Sequence, residues 1–298
     1  MAESLVCGLI GTGIGRSLTP AMHEREGAAQ GLRYVYRTID LDARALTPGD
    51  LPRLVDTAAD LGFRGLNITH PCKQLVIPLL DDLSGDAARL GAVNTVLFDG
   101  DKKIGHNTDW SGFGRSFDTG LTGAAIGSVV QVGAGGAGAA VAYALASRGA
   151  GQLTVIDADL SRASELTTSM ASLFPEVQFV ACTPAEIELS LGAADGVIHA
   201  TPIGMVAHPG TAFDPALLHP AMWVAEVVYR PAQTELLTAA AALGCRTLSG
   251  TGMAVHQAAD AFEIFTGLAA DADRMITHMQ ELIAFEDTVA STLAGASS

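Results

Sequence analysis

The stretch SVVQVGAGGAGAAVAYALASRGAGQLTVIDAD, residues 128–159, constrains the fold of this chain more than any other part of the sequence. A short apolar run is followed by three glycines spaced as G-x-G-x-x-G, namely Gly133, Gly135 and Gly138, and then by an alanine-rich run of helical length. The first glycine permits a tight turn, the second lets the backbone approach a ligand, and the third lets helix and strand pack closely. The pattern therefore predicts a strand–turn–helix unit that opens a doubly wound parallel sheet.

Such a turn can bind a dinucleotide, whose phosphates would face the N-terminus of the helix. The next apolar run, residues 153–156, ends at Asp157, which lies 19 residues after Gly138 and near the spacing of about 20 expected for a carboxylate that holds a ribose. The turn DAD at residues 157–159 has no arginine to meet a 2′-phosphate, so the pattern favours NAD over NADP. Arg162, on the following helix, would contact the adenosine edge or solvent. The predicted coenzyme-binding residues of this region are Gly133, Gly135, Gly136, Ala137, Gly138, Asp157 and Arg162.

Runs rich in valine, isoleucine and leucine alternate with stretches of helical length along most of the chain, which predicts an α/β fold. The glycine-dense segment 112–127 separates two series of such units, so we place a domain boundary there. From about residue 250 the apolar spacing is helical, and these helices could return to pack on the first domain. We expect an open, mostly parallel sheet in the first domain and a Rossmann doubly wound sheet in the second. The predicted strands are Leu5–Ile10, Tyr34–Leu41, Gly65–Thr69, Asn94–Asp99, Ser128–Val132, Leu153–Ile156, Gly196–Ala200 and Met222–Val228.

Composition narrows the class of function. The formal net charge is −15, with 17 basic and 32 acidic residues, and no cluster of lysine and arginine supplies the basic face that a nucleic acid or an anionic membrane would require. The four cysteines are scattered, which fits a reducing cytoplasm better than a disulfide framework. The N-terminal segment lacks a basic region before its short apolar run, so it is a poor signal peptide. We therefore expect a cytoplasmic protein with a small-molecule partner.

The segment GLNITHPCKQ, residues 65–74, places several polar side chains directly after a predicted strand. A zinc site at His70 and Cys72 would need two further ligands, a reactive Cys72 has only His70 beside it as a base, and Lys73 alone suits a solvated turn. A second polar segment, GHNTDWSGF, supplies Asp109. A dehydrogenase removes a hydroxyl proton as hydride leaves the same carbon, so it needs an acid–base group and a residue that orients it. Lys73 and Asp109 are the candidates for these two tasks.

Motifs along the whole chain resemble those of the shikimate/quinate dehydrogenase family. They occur in the family order, and their spacing is specific. They are S-x-[ST]-P-x-x-H at 17–23, N-x-T-x-P-x-K at 67–73, G-A-V-N-T at 91–95, G-x-N-T-D-x-x-G at 105–112, A-T-P-x-G-M at 200–205, Y-x-P-x-x-T-x-L at 229–236, and the set Gly250, Met253 and Gln257.

The resemblance implies an oxidoreductase in which residues 1–112 and the helices at 250–298 bind the substrate and residues 113–249 bind the coenzyme. It implies that Lys73 and Asp109 form the catalytic pair and that Ser17 and Thr19 hold a substrate carboxylate. The residues implied for the ring hydroxyls are Asn67, Thr69, Asn94, Tyr229 and Gln257, and those implied at the nicotinamide are Thr201, Gly250 and Met253. For Thr19 a helix N-cap is an equally good interpretation, and for Met253 the alternative is core packing.

Departures from the family pattern refine this expectation. The DAD turn replaces an Asn-Arg-Thr-like turn of NADP-dependent members, and Thr19 stands where biosynthetic members have serine. Both point to the branch that oxidises quinate and shikimate with NAD, as in quinate catabolism. The alternatives are a biosynthetic shikimate dehydrogenase, which serves aromatic amino acid biosynthesis, and a non-catalytic sensor of the same acids. The sequence leaves the oligomeric state open, a homo-oligomer included. Three further departures, Arg16, His199 and Ala258, have no explanation at the level of sequence.

Overall fold

The computed structural model describes residues 4–295. Residues 1–3 and 296–298, which are the ends of the predicted substrate-binding ranges, lie outside the described residues. The chain divides into two compact units. The first, which we call the substrate unit, comprises residues 1–108 and 257–298, and the second, the nucleotide unit, comprises residues 109–256. Each is described by itself.

The substrate unit contains a mixed sheet, which within the described residues has six strands in the order β2-β1-β3-β5-β6-β4. Strand β1 is parallel to β2 and to β3, and β4 is parallel to β6, whereas β5 is antiparallel to both of its neighbours. The expectation of an open, mostly parallel sheet therefore holds for three of these five pairs. The strands are β1 Ser4–Gly11, β2 Arg33–Asp40, β3 Gly65–Ile68, β4 Asp82–Leu83, β5 Thr95–Asp99 and β6 Lys102–His106.

Helices cover this sheet and bury an apolar core on each face. One core is formed by β1, β3 and β5 with the apolar face of the second helix, where Leu51, Val55 and Ala58 are buried. The other packs Phe262 and Phe265 against Tyr34 and Tyr36 of β2. The helices are α1 Thr19–Ala29, α2 Leu51–Asp60 and α3 Gly85–Leu90; two more, numbered after those of the nucleotide unit, are α9 Gly250–Thr266, which begins in the nucleotide unit, and α10 Ala272–Gly295.

A buried carboxylate joins α10 to α1. Glu26 is 1% exposed and accepts hydrogen bonds from Arg274 Nε at 2.8 Å and Nη2 at 2.7 Å, from the Asp271 N–H and from Gln30. Burial alone would raise the pKa of Glu26, but these hydrogen bonds and the Arg274 charge outweigh it and hold the pKa below its ordinary value. This cluster fixes the start of α10 against the N-terminal part of the chain.

The nucleotide unit is a Rossmann sheet. All of its strand pairs are parallel, and the order β9-β8-β7-β10-β11-β12 is that of a doubly wound dinucleotide-binding domain. Its core is rich in valine, leucine and alanine, as expected for strands that are covered on both faces. The strands are β7 Ser128–Val132, β8 Gln152–Ile156, β9 Gln178–Cys182, β10 Gly196–His199, β11 Trp223–Glu226 and β12 Arg246–Leu248, and the helices are α4 Asp109–Gly120, α5 Gly136–Ala146, α6 Leu160–Leu173, α7 Ile187–Leu191 and α8 Glu235–Ala242.

Two features are absent from the part of the chain that the structure describes. No helix there combines the length and the apolar character needed to cross a membrane. Among the side chains that the structure describes, no three His, Cys, Asp or Glu residues gather into a group that could hold a metal ion.

Candidate active site

The glycine loop of the nucleotide unit connects β7 to α5. Gly133 has φ +109°, and a Cβ there would lie 2.6 Å from the Ala200 carbonyl oxygen; a Cβ at Gly138 would lie 2.3 Å from the Gly133 carbonyl oxygen. Gly136 differs, because a Cβ there would meet nothing within 4 Å. Gly133 and Gly138 are therefore fixed as glycine by close packing, and the loop leaves the first N–H groups of α5 for an anionic ligand. These features fit a dinucleotide.

Asp157 follows β8 and faces this loop. Its Oδ2 accepts the Ala134 N–H at 2.7 Å and its Oδ1 accepts the Asp159 N–H at 3.0 Å. Asp159 caps α6 by accepting from Ser161, and the Ser161 hydroxyl and N–H hold the pKa of Asp159 below its ordinary value. Arg162 is exposed, and its Nη2 lies 3.4 Å from the position that a Cβ on Gly135 would take. The turn after β8 thus carries the carboxylates of Asp157 and Asp159, whereas the Arg162 guanidinium lies near the glycine loop.

The other residues expected at the coenzyme follow β10 or begin α9; Tyr229, expected at a ring hydroxyl of the substrate, belongs to the same unit. Thr201 lies two residues beyond β10, and its Cγ2 would be 2.9 Å from a Cβ on Gly133, so it borders the glycine loop. Gly250 begins α9, where a Cβ would lie 2.3 Å from the Val227 carbonyl oxygen, so close packing requires glycine there. Met253 is 9% exposed in the first turns of α9. The half-buried Tyr229 lies in the loop after β11.

In the substrate unit, the predicted polar residues gather at one edge of the sheet. Strands β1, β3 and β6 all end at that edge, and β5, being antiparallel to β3 and β6, begins there. This explains why Asn94, which precedes a strand, joins residues that follow strands. The edge therefore collects Asn94 with Thr69 and Lys73 after β3 and with Asn107 and Thr108 after β6.

Ser17 and Thr19 lie between β1 and α1 and are half-buried. Helix α1 begins at Thr19 itself, and its N-cap residue is Leu18, whose side chain makes no capping hydrogen bond. The interpretation of Thr19 as the N-cap is therefore wrong. Instead, Ser17 Oγ accepts the Thr19 N–H at 3.3 Å, which leaves the Ser17 hydroxyl proton for a ligand.

Lys73 is half-buried in the turn after β3. Backbone hydrogen bonds fix this turn, because the Lys73 carbonyl accepts the Val93 N–H at 2.9 Å and the Thr69 carbonyl accepts the Cys72 N–H at 2.8 Å. Cys72 is fully buried, and burial raises the pKa of its thiol. A raised pKa disfavours the thiolate, so Cys72 suits a packing role better than a nucleophilic one.

Asn67 is 4% exposed and belongs to a hydrogen-bonded network. Its Oδ1 accepts the Tyr36 hydroxyl at 2.7 Å, and its Nδ2 donates to Thr95 Oγ1 at 2.9 Å and to the Asn94 carbonyl at 3.3 Å. Both N–H groups are thus used inside the protein, and one lone pair of Oδ1 remains for a ligand. Tyr36 was not singled out from the sequence, and Thr95 was part of the G-A-V-N-T motif without a role of its own, because hydroxyls 28 and 31 residues away from Asn67 leave no local signal of that contact.

The network continues to the strand β6 side of the edge. Asn94 donates to Thr108 Oγ1 at 2.9 Å and accepts the Thr108 N–H at 2.8 Å, and the Thr108 hydroxyl donates to the Gln257 carbonyl at 3.0 Å. Gln257 is half-buried in α9. Asn67, Asn94 and Gln257, three residues predicted to bind substrate, are therefore linked through Thr95 and Thr108.

Asp109 is the first residue of α4 and is 8% exposed. A carboxylate in the first turn is favoured by the positive end of the helix dipole. A buried carboxylate at that place suits either an acid–base partner or a helix-stabilising charge.

Two family models match the chain: the shikimate dehydrogenase substrate binding domain over residues 9–96 and the shikimate 5'-dehydrogenase C-terminal domain over residues 250–280. The chain is 55% identical to a shikimate dehydrogenase (NADP(+)) of Streptomyces avermitilis, over 94% of this chain and 96% of the relative. It is also 55% identical to a quinate/shikimate dehydrogenase (NAD(+)) of Corynebacterium glutamicum, over 92% of this chain and 98% of the relative.

Among solved structures, quinate dehydrogenase from Corynebacterium glutamicum in complex with NAD superposes with a TM-score of 0.89 at 53% identity, covering 93% of this chain and 99% of that one. Sequence, fold and motif order thus agree over nearly the whole length. The chain belongs to the shikimate/quinate dehydrogenase family of NAD(P)-dependent oxidoreductases.

Proposed function

We propose that this protein oxidises quinate and shikimate with NAD, transferring hydride from the carbon that bears the reacting hydroxyl. The observation that carries the choice of coenzyme is the turn after β8, where Asp157 is tied to the glycine loop and Asp159 caps the next helix. The relatives do not decide the point, since two of equal identity are named for different coenzymes.

The turn supports NAD on electrostatic grounds. Asp157 is held by the Ala134 N–H, and its remaining lone pairs can accept the two ribose hydroxyls of NAD. A 2′-phosphate there would face Asp157 and Asp159 with only Ala158 between them. Arg162 is the nearby cation, but its guanidinium reaches toward Gly135 of the glycine loop, where phosphates common to both coenzymes would bind.

A bound nicotinamide would accept the hydride. The proton of the same hydroxyl then needs a base, and we assign this task to Lys73 in its fixed turn, with Asp109 as the carboxylate that orients and neutralises the ammonium. Lys73 would hold the proton at Nζ after oxidation and return it in the reverse direction. This assignment rests on the family motifs together with the anchored position of Lys73 after β3.

The acid would bind at the polar edge of the substrate unit. The Ser17 hydroxyl donates to a carboxylate, since its oxygen already accepts from the Thr19 N–H. Asn67 offers a single acceptor to a ring hydroxyl, because its N–H groups bind Thr95 and Asn94. Thr69, Asn94, Tyr229 and Gln257 complete the proposed set of residues for the ring hydroxyls.

We further propose that the enzyme works in the cytoplasm. Its four cysteines are free, buried thiols, and free thiols are typical of proteins in a reducing compartment. Burial raises the pKa of Cys7 to about 12, which keeps that thiol protonated.

The test of the substrate assignment is the oxidation of quinate and of shikimate by the purified protein at saturating NAD, monitored by NADH absorbance. We expect turnover of both acids. Thr19→Ser keeps the hydroxyl and removes one methyl, a change worth about 1–3 kcal/mol in discrimination, so we expect it to change the ratio of kcat/KM between the acids. If the wild type oxidises shikimate and leaves quinate untouched, the biosynthetic activity replaces our proposal. Binding of both acids without turnover would point instead to a sensor.

A further inference from the structure

A chain of four polar side chains, three of them buried, lies in the nucleotide unit, and we call it the Glu226 cluster. His199 Nδ1 is 2.9 Å from Glu226 Oε1, His199 Nε2 is 2.5 Å from Thr201 Oγ1, and Thr234 Oγ1 is 2.5 Å from Glu226 Oε2. His199, Glu226 and Thr234 are each 1% exposed. Burying a carboxylate is costly unless hydrogen bonds compensate it, so this arrangement requires an explanation.

The backbone fixes three members of the cluster. His199 and Glu226 are the last residues of β10 and β11 and stand opposite each other in the parallel register. Thr234 is the N-cap of α8, where its Oγ1 accepts the Leu237 N–H at 3.2 Å. Because that oxygen already accepts, the Thr234 hydroxyl proton is directed to Glu226. The imidazole ring therefore has one rigid partner on its Nδ1 side.

The hydrogen-bond directions follow from this geometry for an ionised Glu226 and a singly protonated His199 ring. An ionised carboxylate only accepts, so Glu226 requires a proton on His199 Nδ1. In the neutral ring Nε2 then accepts, and the Thr201 hydroxyl must donate to it. Thr201 Oγ1 also accepts the Ile203 N–H at 3.3 Å. One lone pair of Thr201 is left, and Thr201 presents an acceptor rather than a donor to any ligand.

The ligand in question is identified by where Thr201 lies. It borders the glycine loop, and a Cβ on Gly133 would lie 2.9 Å from its Cγ2. The family resemblance implies that the nicotinamide lies beside Thr201. The carboxamide of nicotinamide carries an NH2 group, which is a donor and matches the remaining lone pair.

We propose that His199 is a positioning residue: held by Glu226, it turns the Thr201 hydroxyl so that Thr201 accepts a hydrogen bond from the carboxamide NH2 of the nicotinamide. The inference rests on the proposed function, because it needs the coenzyme in this unit. It also accounts for His199, which replaces the asparagine common in the family. An asparagine would keep the contact with Glu226 but is too short to reach Thr201.

The test uses a coenzyme without the donor. In 3-acetylpyridine adenine dinucleotide a methyl group replaces the NH2 of the carboxamide and the carbonyl is kept. Each variant is compared with the wild type separately for NAD and for this analogue, so that the different redox potentials cancel. His199→Asn keeps the partner of Glu226 and removes the partner of Thr201, whereas His199→Gln places an amide where Nε2 was. Thr201→Val removes the hydroxyl without touching the buried pair.

We expect His199→Asn and Thr201→Val each to lower kcat/KM for NAD by roughly 3- to 10-fold, the range for one hydrogen bond, and to change the value for the analogue by less than about twofold. His199→Gln should recover part of the loss with NAD. The double variant should be no worse than Thr201→Val, because the two residues act in series. The matched control is His219→Asn. His219 is a half-buried histidine of the same unit, and its substitution should leave kcat/KM unchanged for both NAD and the analogue.

Equal losses with NAD and the analogue, or additive losses in the double variant, would overturn the inference and leave the Glu226 cluster a packing feature. If His199→Asn does not fold, Thr201→Val decides alone. Equal losses of kcat/KM with NAD and with the analogue in Thr201→Val would also overturn the inference. Failure of the wild type to reduce NAD with either acid would instead overturn the proposed function.

Discussion

The two units prepare their binding groups in different ways. In the nucleotide unit the glycine loop is shaped by the absence of side chains, since a Cβ at Gly133 or Gly138 would strike backbone atoms. In the substrate unit the groups are side chains, and two of them are held by other buried side chains, Asn67 by Tyr36 and Thr95 and Asn94 by Thr108. In the nucleotide unit, the Glu226 cluster is an example of side chains held by other buried side chains.

Because of this difference, the two units respond differently to substitutions. A backbone loop is sensitive to any added atom but needs no distant partner. A side-chain network tolerates small changes of shape but depends on hydroxyls and charges contributed from several strands and helices. The predictions below separate these two kinds of dependence, beginning with the proposed chemical step.

The largest effect is expected at Lys73. Lys73→Ala should lower kcat by roughly 10²–10⁴, the range for loss of a general acid–base group, with a smaller change in the KM for the coenzyme. Steady-state kinetics with either acid provide the measurement. Lys102→Ala, at an exposed lysine of β6, is the control. Near-normal turnover by folded Lys73→Ala would show that Lys73 is a solvated lysine in a turn and not the acid–base group.

The second effect concerns acid stability and contrasts one ion pair from each unit. Glu26→Gln should lower the free energy of unfolding at pH 7 by about 1.5–3 kcal/mol, the range for a hydrogen-bonded charged group. The pKa of Glu26 is lowered below 4.5, so its contribution is present above that value and is lost as the pH falls through the folded-state pKa. The difference between wild type and variant should therefore shrink below about pH 4.5.

The matched comparison is Asp118→Asn in the nucleotide unit. Asp118 accepts from Arg148 at 2.8 Å, and this bond lowers its pKa, but its side chain is 56% exposed. We expect a loss of about 0–1 kcal/mol, as for other surface pairs. Urea unfolding at several pH values measures both variants, and equal losses at pH 7 would contradict the distinction between the buried and the exposed pair.

The third effect tests the backbone loop. Gly133→Ala adds a Cβ at φ +109° and 2.6 Å from the Ala200 carbonyl oxygen, and strain of about 1–3 kcal/mol should weaken coenzyme binding by roughly 10- to 100-fold. Gly136→Ala, whose Cβ meets nothing within 4 Å, should lose far less. Fluorescence titration of the coenzyme gives both Kd values. Comparable affinities would show that the loop yields to the added methyl group.

The smallest effect tests the side-chain network. Tyr36→Phe removes the hydroxyl that donates to Asn67, so kcat/KM for the acid should fall by about 3- to 10-fold while the KM for the coenzyme stays unchanged. Tyr34→Phe is the control on the same strand, because its hydroxyl meets His23 Nδ1 at 3.2 Å rather than Asn67. A loss of the same size in both variants would assign the effect to general packing.

The two units also differ in how much of them the sequence predicts. The glycine loop and Asp157 were predicted residue by residue, because turn, strand and helix signals lie within one short stretch. The prediction missed β4, β6, β9 and β12. Strands β4 and β12 have only two and three residues, β6, whose sequence is KKIGH, has few apolar residues, and β9 is an edge strand. Their pairing is decided by neighbours in the sheet, which no local pattern reports.

The partners within the substrate site could not be predicted for the same reason. Asn67 and Asn94 were named from the motifs, but their orientation depends on Tyr36, Thr95 and Thr108, which converge only because β5 is antiparallel. In the nucleotide unit, Glu226 did leave one signal, since a carboxylate ends an otherwise apolar strand. Its pairing with His199 required the register of β10 and β11.

The most direct measurement of the central claim is the ratio of kcat/KM for NAD to that for NADP, with the better of the two acids at saturation. Like charges near a partly exposed site repel by about 1–4 kcal/mol, so the turn that holds Asp157 and Asp159 predicts a preference for NAD of roughly 10- to 1,000-fold. The double variant Asp157→Ala with Ala158→Arg should narrow that gap. A wild-type enzyme that uses NADP as well as NAD, or better, would contradict the account.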